Sequence, residues 1–149
     1  VTDAYSKKIM GYDLSDSLAV ESSLSALKKA LKARKHKDRP LIHHSDRGLQ
    51  YCSNEYQALL KRNRLMPSMT ESYDPYANAV AERVNGILKD EFMIERYSRD
   101  RHFMEDYVKD SIDKYNRLRP HYSCHMLTPE EMHRQNKIRI RTYKKNLQL

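Results

Sequence analysis

Two carboxylates stand where they could do chemistry. Asp46 closes an apolar run inside LIHHSDRGLQY, and Glu82, with 35 residues between, lies inside YDPYANAVAERVNGILKDEF. Carboxylates at a strand's end and on a facing helix can hold hard divalent ions, which prefer oxygen ligands. Two such ions, each gripping one oxygen of an in-line displacement at phosphorus, are a recurrent solution for cutting and joining DNA. Around the pair lie residues of a second kind. Arg47, next to Asp46, can balance the acidic cluster or meet a phosphate.

The helix that carries Glu82 must bury one face and free the other. At 100° per residue, Val80, Val84, Ile87 and Leu88 cluster within about 100° of arc, opposite Asn78, Glu82, Asn85 and Lys89. Glu82 and Lys89 are two turns apart, so they stack on one surface roughly 10 Å from each other. The carboxylate can bind metal while the ammonium grips a phosphate farther along. Glu91 falls on the apolar face, so the helix must bend, end, or pair Glu91 with a base.

The strand that ends at Asp46 is expected over Leu41–His44, with Gly48 punctuating the loop beyond. Before it, Val20, Leu24, Leu27 and Leu31 mark an amphipathic helix from Asp16 to Lys35, and a turn at Ser6 and Lys7 leads to a short strand over Lys8–Leu14. After it, Ser53 can cap a helix that buries Tyr56, Leu59 and Leu60 and runs to about Arg64. Leu65–Ser68 reads as a short edge strand because of Pro67. The helix bearing Glu82 begins near Tyr76 or Ala77. Phe103, Met104, Tyr107, Val108, Ser111, Ile112 and Tyr115 predict a helix over Arg101–Arg117, with Pro120 beyond its end and Asn116 and Arg119 orienting the turn. Thr128, Pro129 and Glu131 form a capping-box start.

HSDRG, the spacing to Glu82, AERVNGILKDEF and YNRLRPHYSCHMLTPEE together resemble the catalytic core of insertion-sequence transposases. These are relatives of retroviral integrases in the DDE superfamily, and the likeness is closest to the IS-three group. It runs from about Thr2 to about Met132. The resemblance implies an α/β, RNase H-like integrase core, a mixed sheet flanked by helices, over residues 1–133, with a basic tail over 134–149. It implies Asp46 and Glu82 as catalytic residues and as ligands of Mg²⁺ or Mn²⁺, two ions in the intact family. Lys89 and Asn78 match DNA-facing offsets, Asn85 shares their face, and Arg119 and His121 are implied near DNA or on the active-site flank. The implied partners are element ends, target DNA and further copies of the chain, in a bacterial cytoplasm at the nucleoid.

The family's first catalytic Asp sits on an opening strand, in a TDITY-like stretch. Here VTDAYSKKIMGYDLS is the counterpart of the following segment, so the first strand and most of the second are expected to be lacking. Asp3 matches a position that the resemblance assigns to no metal, and Asp13 and Asp16 fit no better. Ala77 stands where many relatives carry an acid. The expectation is a truncated gene or partial reading frame that is inactive in strand transfer by itself, with two strand edges left unpaired. A DNA-binding or oligomerising remnant that interferes with a full-length transposase is the alternative, and an unfolded pseudogene product a third.

Composition supports a DNA partner in a particular way. The formal charge is +8, but residues 1–40 hold nine bases against five acids, and residues 134–149 six against none. The middle therefore carries thirteen bases against fifteen acids, a carboxylate-bearing centre flanked by basic ends. Eleven tyrosines leave amphipathic rings at many surfaces, compatible with nucleic-acid contact. The 149 residues suit one domain plus a tail. No apolar run is long enough to span a bilayer. Cys52 and Cys124 show neither metal spacing nor a disulfide framework, and His43 and His44 have no HxxxH or CxxC partner that would indicate zinc.

Overall fold

The computed structural model describes residues 1–17, 19–70, 78–96 and 100–135. Its elements in chain order are α1 (Val20–Ala33), β1 (Leu41–Ser45), α2 (Leu49–Cys52), α3 (Asn54–Arg62), β2 (Leu65–Met69), α4 (Ala79–Asp90), α5 (Arg101–Arg117), a 3₁₀ turn at Tyr122–Cys124 and α6 (Pro129–Arg134). β1 and β2 form a parallel pair in which Leu41 faces Leu65 and Ser45 faces Met69. Among the described residues the other edge of β1 is unpaired. Leu41, Ile42 and Met66 on this small sheet are exposed.

Local signals set most of these limits. The Ser53 hydroxyl accepts from Tyr56 N at 3.2 Å and starts α3, and Thr128 and Glu131 close a full capping box on α6. Asp100 caps α5 by accepting from His102 N at 3.0 Å. α1 is shorter than the expected Asp16–Lys35. Ser17 N bonds back to Ser15 Oγ, a local turn that competes with helix, and Arg34 leaves the helix at ψ 129°. α3 stops at Arg62, because Arg64 takes a left-handed φ of 57° to turn into β2. α4 begins at Ala79, and the expected start at Tyr76 or Ala77, like the basic tail beyond Gln135, lies outside the described residues. Phe103, expected in the buried stripe of α5, is exposed and stacks on Tyr107 instead.

The strand expected over Lys8–Leu14 is not formed. A hairpin is present, with Lys7 at φ 62°, but its pairing is one bridge between Thr2 and Ile9. Ile9 turns its outward peptide groups to a side chain. Its N–H donates to Asn116 Oδ1 at 2.9 Å and its carbonyl accepts from Asn116 Nδ2 at 3.1 Å. The amide of Asn116 thus does for this segment what a neighbouring strand's peptide would do. Tyr115 Oη adds a bond to Lys7 O at 2.9 Å.

Buried apolar side chains gather in two clusters. Ile9, Val84, Ile87, Leu88, Val108, Ile112 and Tyr115 pack the hairpin, α4 and α5 together. Leu27, Tyr56, Leu60 and Leu65 join α1, α3 and β2. The two halves meet where Gly11 lies against α1. A Cβ there would stand 2.2 Å from Ala26 O and 2.6 Å from Ala30 N, so only glycine fits. Lys29 Nζ crosses the same seam to Tyr12 O at 2.9 Å and to Asp13 at 3.1 Å.

Candidate active-site carboxylates

Asp46 follows the last residue of β1 and is exposed. Its Oδ1 accepts from Gly48 N at 2.9 Å, a turn that fixes one carboxylate oxygen and leaves the other open to solvent. β1 reaches one residue beyond its expected end, to Ser45, which is buried. Arg47 Nε donates to Thr70 O at 3.0 Å, tying the loop after Asp46 to the loop after β2. His44 bonds Ser68 at 3.0 Å, and His43 bonds the Tyr56 hydroxyl at 3.0 Å, so both histidines serve local structure. Burial lowers the His43 pKa, which keeps that imidazole neutral beside Tyr56.

Glu82 is exposed on the first turn of α4, on the face opposite buried Val84, Ile87 and Leu88. Asn85 and Lys89 are exposed on the same face, and Asn78 is the N-cap residue. Among the described residues neither Asp46 nor Glu82 is in an ion pair. Lys89 is paired, to Glu95 at 2.6 Å, with both side chains more than half exposed. α4 ends at Asp90 with Glu91 as its C-cap. Glu91 takes both oxygens to Arg119, at 2.6 Å each, so the misplaced acid both ends the helix and pairs with a base. The Arg119 bonds hold the Glu91 pKa below its ordinary value.

Arg119 and His121 therefore make internal contacts. His121 is buried, bonds Ser123 through Nδ1 at 3.0 Å and leaves Nε2 without a partner. Burial, then the nearby Arg119 charge, lower its pKa. Asp3 is also occupied structurally. It accepts from Ser6 N at 3.1 Å and Ser6 Oγ at 2.5 Å, and it meets His133 Nδ1 at 3.2 Å. Burial raises its pKa, but the bonds from Ser6 and His133 outweigh that and leave it lowered. These contacts lock the hairpin turn to α6.

The donor type suits a hard cation, since both candidate ligands are exposed carboxylates. The donor number is short. Among the described residues no group of three or more His, Cys, Asp or Glu could hold a metal ion. Asp46 belongs to the half built on α1, α3 and β2, and Glu82 to the half built on the hairpin, α4 and α5.

Comparison with known proteins places this arrangement. The chain matches the family described as Integrase core domain over residues 1–75, and a second family of the same description over residues 63–129. The chain belongs to the integrase core domain family. It is 37% identical over 137 residues to Transposase InsF for insertion sequence IS3A of Escherichia coli K12, covering 91% of this chain and 47% of that protein. It is 34% identical over 97 residues to a putative transposase for IS986/IS6110 of Mycobacterium tuberculosis, covering 62% of this chain and 35% of the relative. The chain thus spans about half the length of the first of these relatives. Its integrase-core sequence is of the IS3 transposase kind.

The fold agrees. The HTLV-2 integrase catalytic core domain, solved in complex with magnesium in a trimeric form, superposes with a TM-score of 0.65 at 17% identity, covering 89% of this chain and 80% of that one. A chain of the simian T-cell lymphotropic virus intasome gives 0.64 at 21% identity, covering 83% of this chain and 43% of the other. The architecture is RNase H-like, with a small two-stranded sheet among the described residues. No described helix is long and apolar enough to cross a membrane.

The sequence reading missed one feature of this surface. The ends of α1 and α3 converge on a cleft lined by five cations. The signals were the seven bases between Lys28 and Arg39 and the three at Lys61, Arg62 and Arg64, which the charge count divided between the basic residues 1–40 and the net-acidic middle.

Proposed function

We propose that this chain is a DNA-handling part of a DDE-type transposase core, contributing Asp46 and Glu82 as two carboxylates of a divalent-metal centre, and that it does not join DNA by itself. The observation that carries the reading is the pair of exposed carboxylates without ion pairs, one at the end of a parallel strand and one on the free face of α4, in an integrase-core chain. Magnesium or manganese bound there would polarise a phosphodiester and activate the attacking oxygen. The chain's own residues would orient the DNA. Asn78, Asn85 and Lys89 line the Glu82 face, and Arg47 stands beside Asp46. The Lys89–Glu95 pair is exposed, so exchanging Glu95 for a phosphate costs little. Arg119 acts at the flank through Glu91 at the end of α4, with His121 beside it. The intact enzyme works as a homo-oligomer on element ends and target DNA.

Strand transfer with a labelled insertion-sequence end and Mg²⁺ tests this. The 149-residue chain should give no product. A chain extended upstream to include an Asp-bearing strand should give product that Glu82→Gln and Asp46→Asn each abolish. Mg²⁺-dependent product from the 149-residue chain, lost in Glu82→Gln, would overturn the claim of inactivity. Activity of the extended chain that survives both substitutions would overturn the site.

The edge of β1 that is unpaired among the described residues favours one second reading, a fragment that pairs with a full-length transposase and interferes with it. Co-expression that leaves transposition frequency unchanged would exclude it.

A further inference from the structure

We infer that the cleft between the ends of α1 and α3 is a second binding surface for the DNA backbone, separate from the carboxylate face. The cleft has a volume of about 340 Å³ and is lined by Leu31, Lys32, Arg34, Lys37, Arg62, Asn63 and Arg64. Every charged residue in that lining is a cation, and Asp38 is the sole acid between Glu21 and Asp46 in sequence. Among the described residues none of the five cations is ion-paired. On α5 and α6, by contrast, Arg101, Lys114, Arg117 and Arg134 each hold a carboxylate.

Two of the five are held in place without being neutralised. Arg34 donates from Nη1 to Asn63 O at 3.0 Å and from Nη2 to Arg39 O. Arg64 donates from Nη1 to Asp38 O at 3.2 Å. Carbonyls fix the guanidinium planes but leave the positive charge uncompensated, which suits phosphate oxygens. Lys32, Lys37 and Arg62 are exposed around them, with no side-chain bond to the described chain. Helix dipoles account for Lys32 and Arg62, which sit in the last turns of α1 and α3. They do not account for Lys37, in the connecting loop, or for Arg64, beyond α3. A polyanion relieves the mutual repulsion of all five at once.

The position separates this surface from the first one. Leu41, at the start of β1, donates its N–H to Arg64 O at 3.3 Å, so the cleft borders the N-terminal end of the parallel pair. Asp46 follows the C-terminal end. Five residues of strand at about 3.3 Å each set the two about 16 Å apart at opposite poles of β1. At about 3.4 Å of rise per base pair, that separation is roughly five base pairs, so a phosphate at Asp46 and phosphates in the cleft belong to different nucleotides of the bound DNA. This goes beyond the proposed chemistry and does not need it.

The test is fluorescence anisotropy of a labelled duplex of arbitrary sequence, about 30 base pairs long, with the full chain in EDTA, titrated with salt. Lys32→Gln, Lys37→Gln and Arg62→Gln combined should weaken binding at least tenfold at moderate salt and reduce the log–log salt slope by about 2.7, at about 0.9 per phosphate lost. Lys109→Gln, Lys114→Gln and Arg117→Gln on α5 remove the same charge and should change affinity less than threefold. Thermal melting by circular dichroism confirms that each variant folds. Equal losses from the two triple variants would reduce the effect to net charge and overturn the inference. So would displacement by polyglutamate at the same charge concentration as DNA, which would mark an acidic-protein site. Because the assay contains no metal, failed strand transfer leaves it untouched.

Discussion

Replacing Asn116 with Leu should cost far more than its polar-for-apolar exchange suggests. Leu keeps the branched outline of Asn with bulkier methyl groups, so the change opens no space, but it removes both bonds to Ile9, at 2.9 and 3.1 Å. Ile9 is 7% exposed and Asn116 9%, so water cannot replace them. Leaving a buried N–H and a buried carbonyl unsatisfied costs about 1–3 kcal/mol each, which sums to about 2–6 kcal/mol. At about 2–4 °C per kcal/mol for a chain of this size, the melting temperature should fall by about 4–24 °C. Urea unfolding followed by far-ultraviolet circular dichroism reads this directly. Asn116→Asp supplies a control. It keeps the acceptor for Ile9 N–H and turns a charge toward the Ile9 carbonyl, so it should recover stability as acid protonates the carboxyl and restores a donor. A loss under about 1 kcal/mol in Asn116→Leu would refute the view that this amide stands in for a strand.

Gly11→Ala drives a methyl against backbone of α1, at 2.2 Å from Ala26 O and 2.6 Å from Ala30 N, and neither atom can swing away. Overpacking of this kind costs about 1–3 kcal/mol, and a melting temperature unchanged within 1 °C, by the same scale, would show that the seam yields freely. Arg119→Ala should flatten the acid limb of stability. The Glu91 pKa is lowered from 4.5 in the folded chain, so the pair's contribution is present above 4.5 and is lost as pH falls through the folded value. The parent should therefore lose stability below pH 4.5 more steeply than the variant, and parallel curves would mean that Arg119 contributes nothing through Glu91.

Much of this fold was legible because its signals are local. The limits of α5 and the capping box of α6 follow from periodicity and from three residues, Thr128, Pro129 and Glu131, that need no tertiary partner. Ser53 announced α3 in the same way. The face of α4 that carries Glu82 could be read because 3.6-residue spacing separates Val84, Ile87 and Leu88 from Glu82, Asn85 and Lys89. The hairpin strand failed because its hydrogen-bonding partner is a side chain 107 residues away. Gly11 gave no sign of its constraint, which comes from helix backbone rather than from its own conformation. The basic cleft was likewise hidden, since Arg34 and Arg64 become neighbours only through the ends of α1 and α3. The carboxylates were candidates by type, setting and resemblance, and their relation in space was beyond the sequence.

That relation governs what the chain can do. A two-ion centre needs its ligands held within about 0.5 Å, by neighbours that are themselves locked. Asp46 is locked to β1, α3 and α1, while Glu82 is locked to α4, α5 and the hairpin. Among the described contacts the halves are joined at Gly11 against Ala26 and Ala30, at Lys29 with Tyr12 and Asp13, at Ser25 with Asp13, 2.8 Å apart, and at Lys35 with His133 O, 2.8 Å apart. Apart from Gly11, these contacts are exposed polar bonds, two of them from lysines, which yield easily to solvent and salt. A strand added along the free edge of β1 would bring a backbone ladder to the half that carries Asp46. If that strand also packed on the hairpin, it would bind the two halves by bonds that salt does not screen. On the proposed assignment of Asp46 and Glu82 as metal ligands, such a strand would stiffen the seam between them, so activity of an extended chain should depend on that strand and not rise with metal concentration alone.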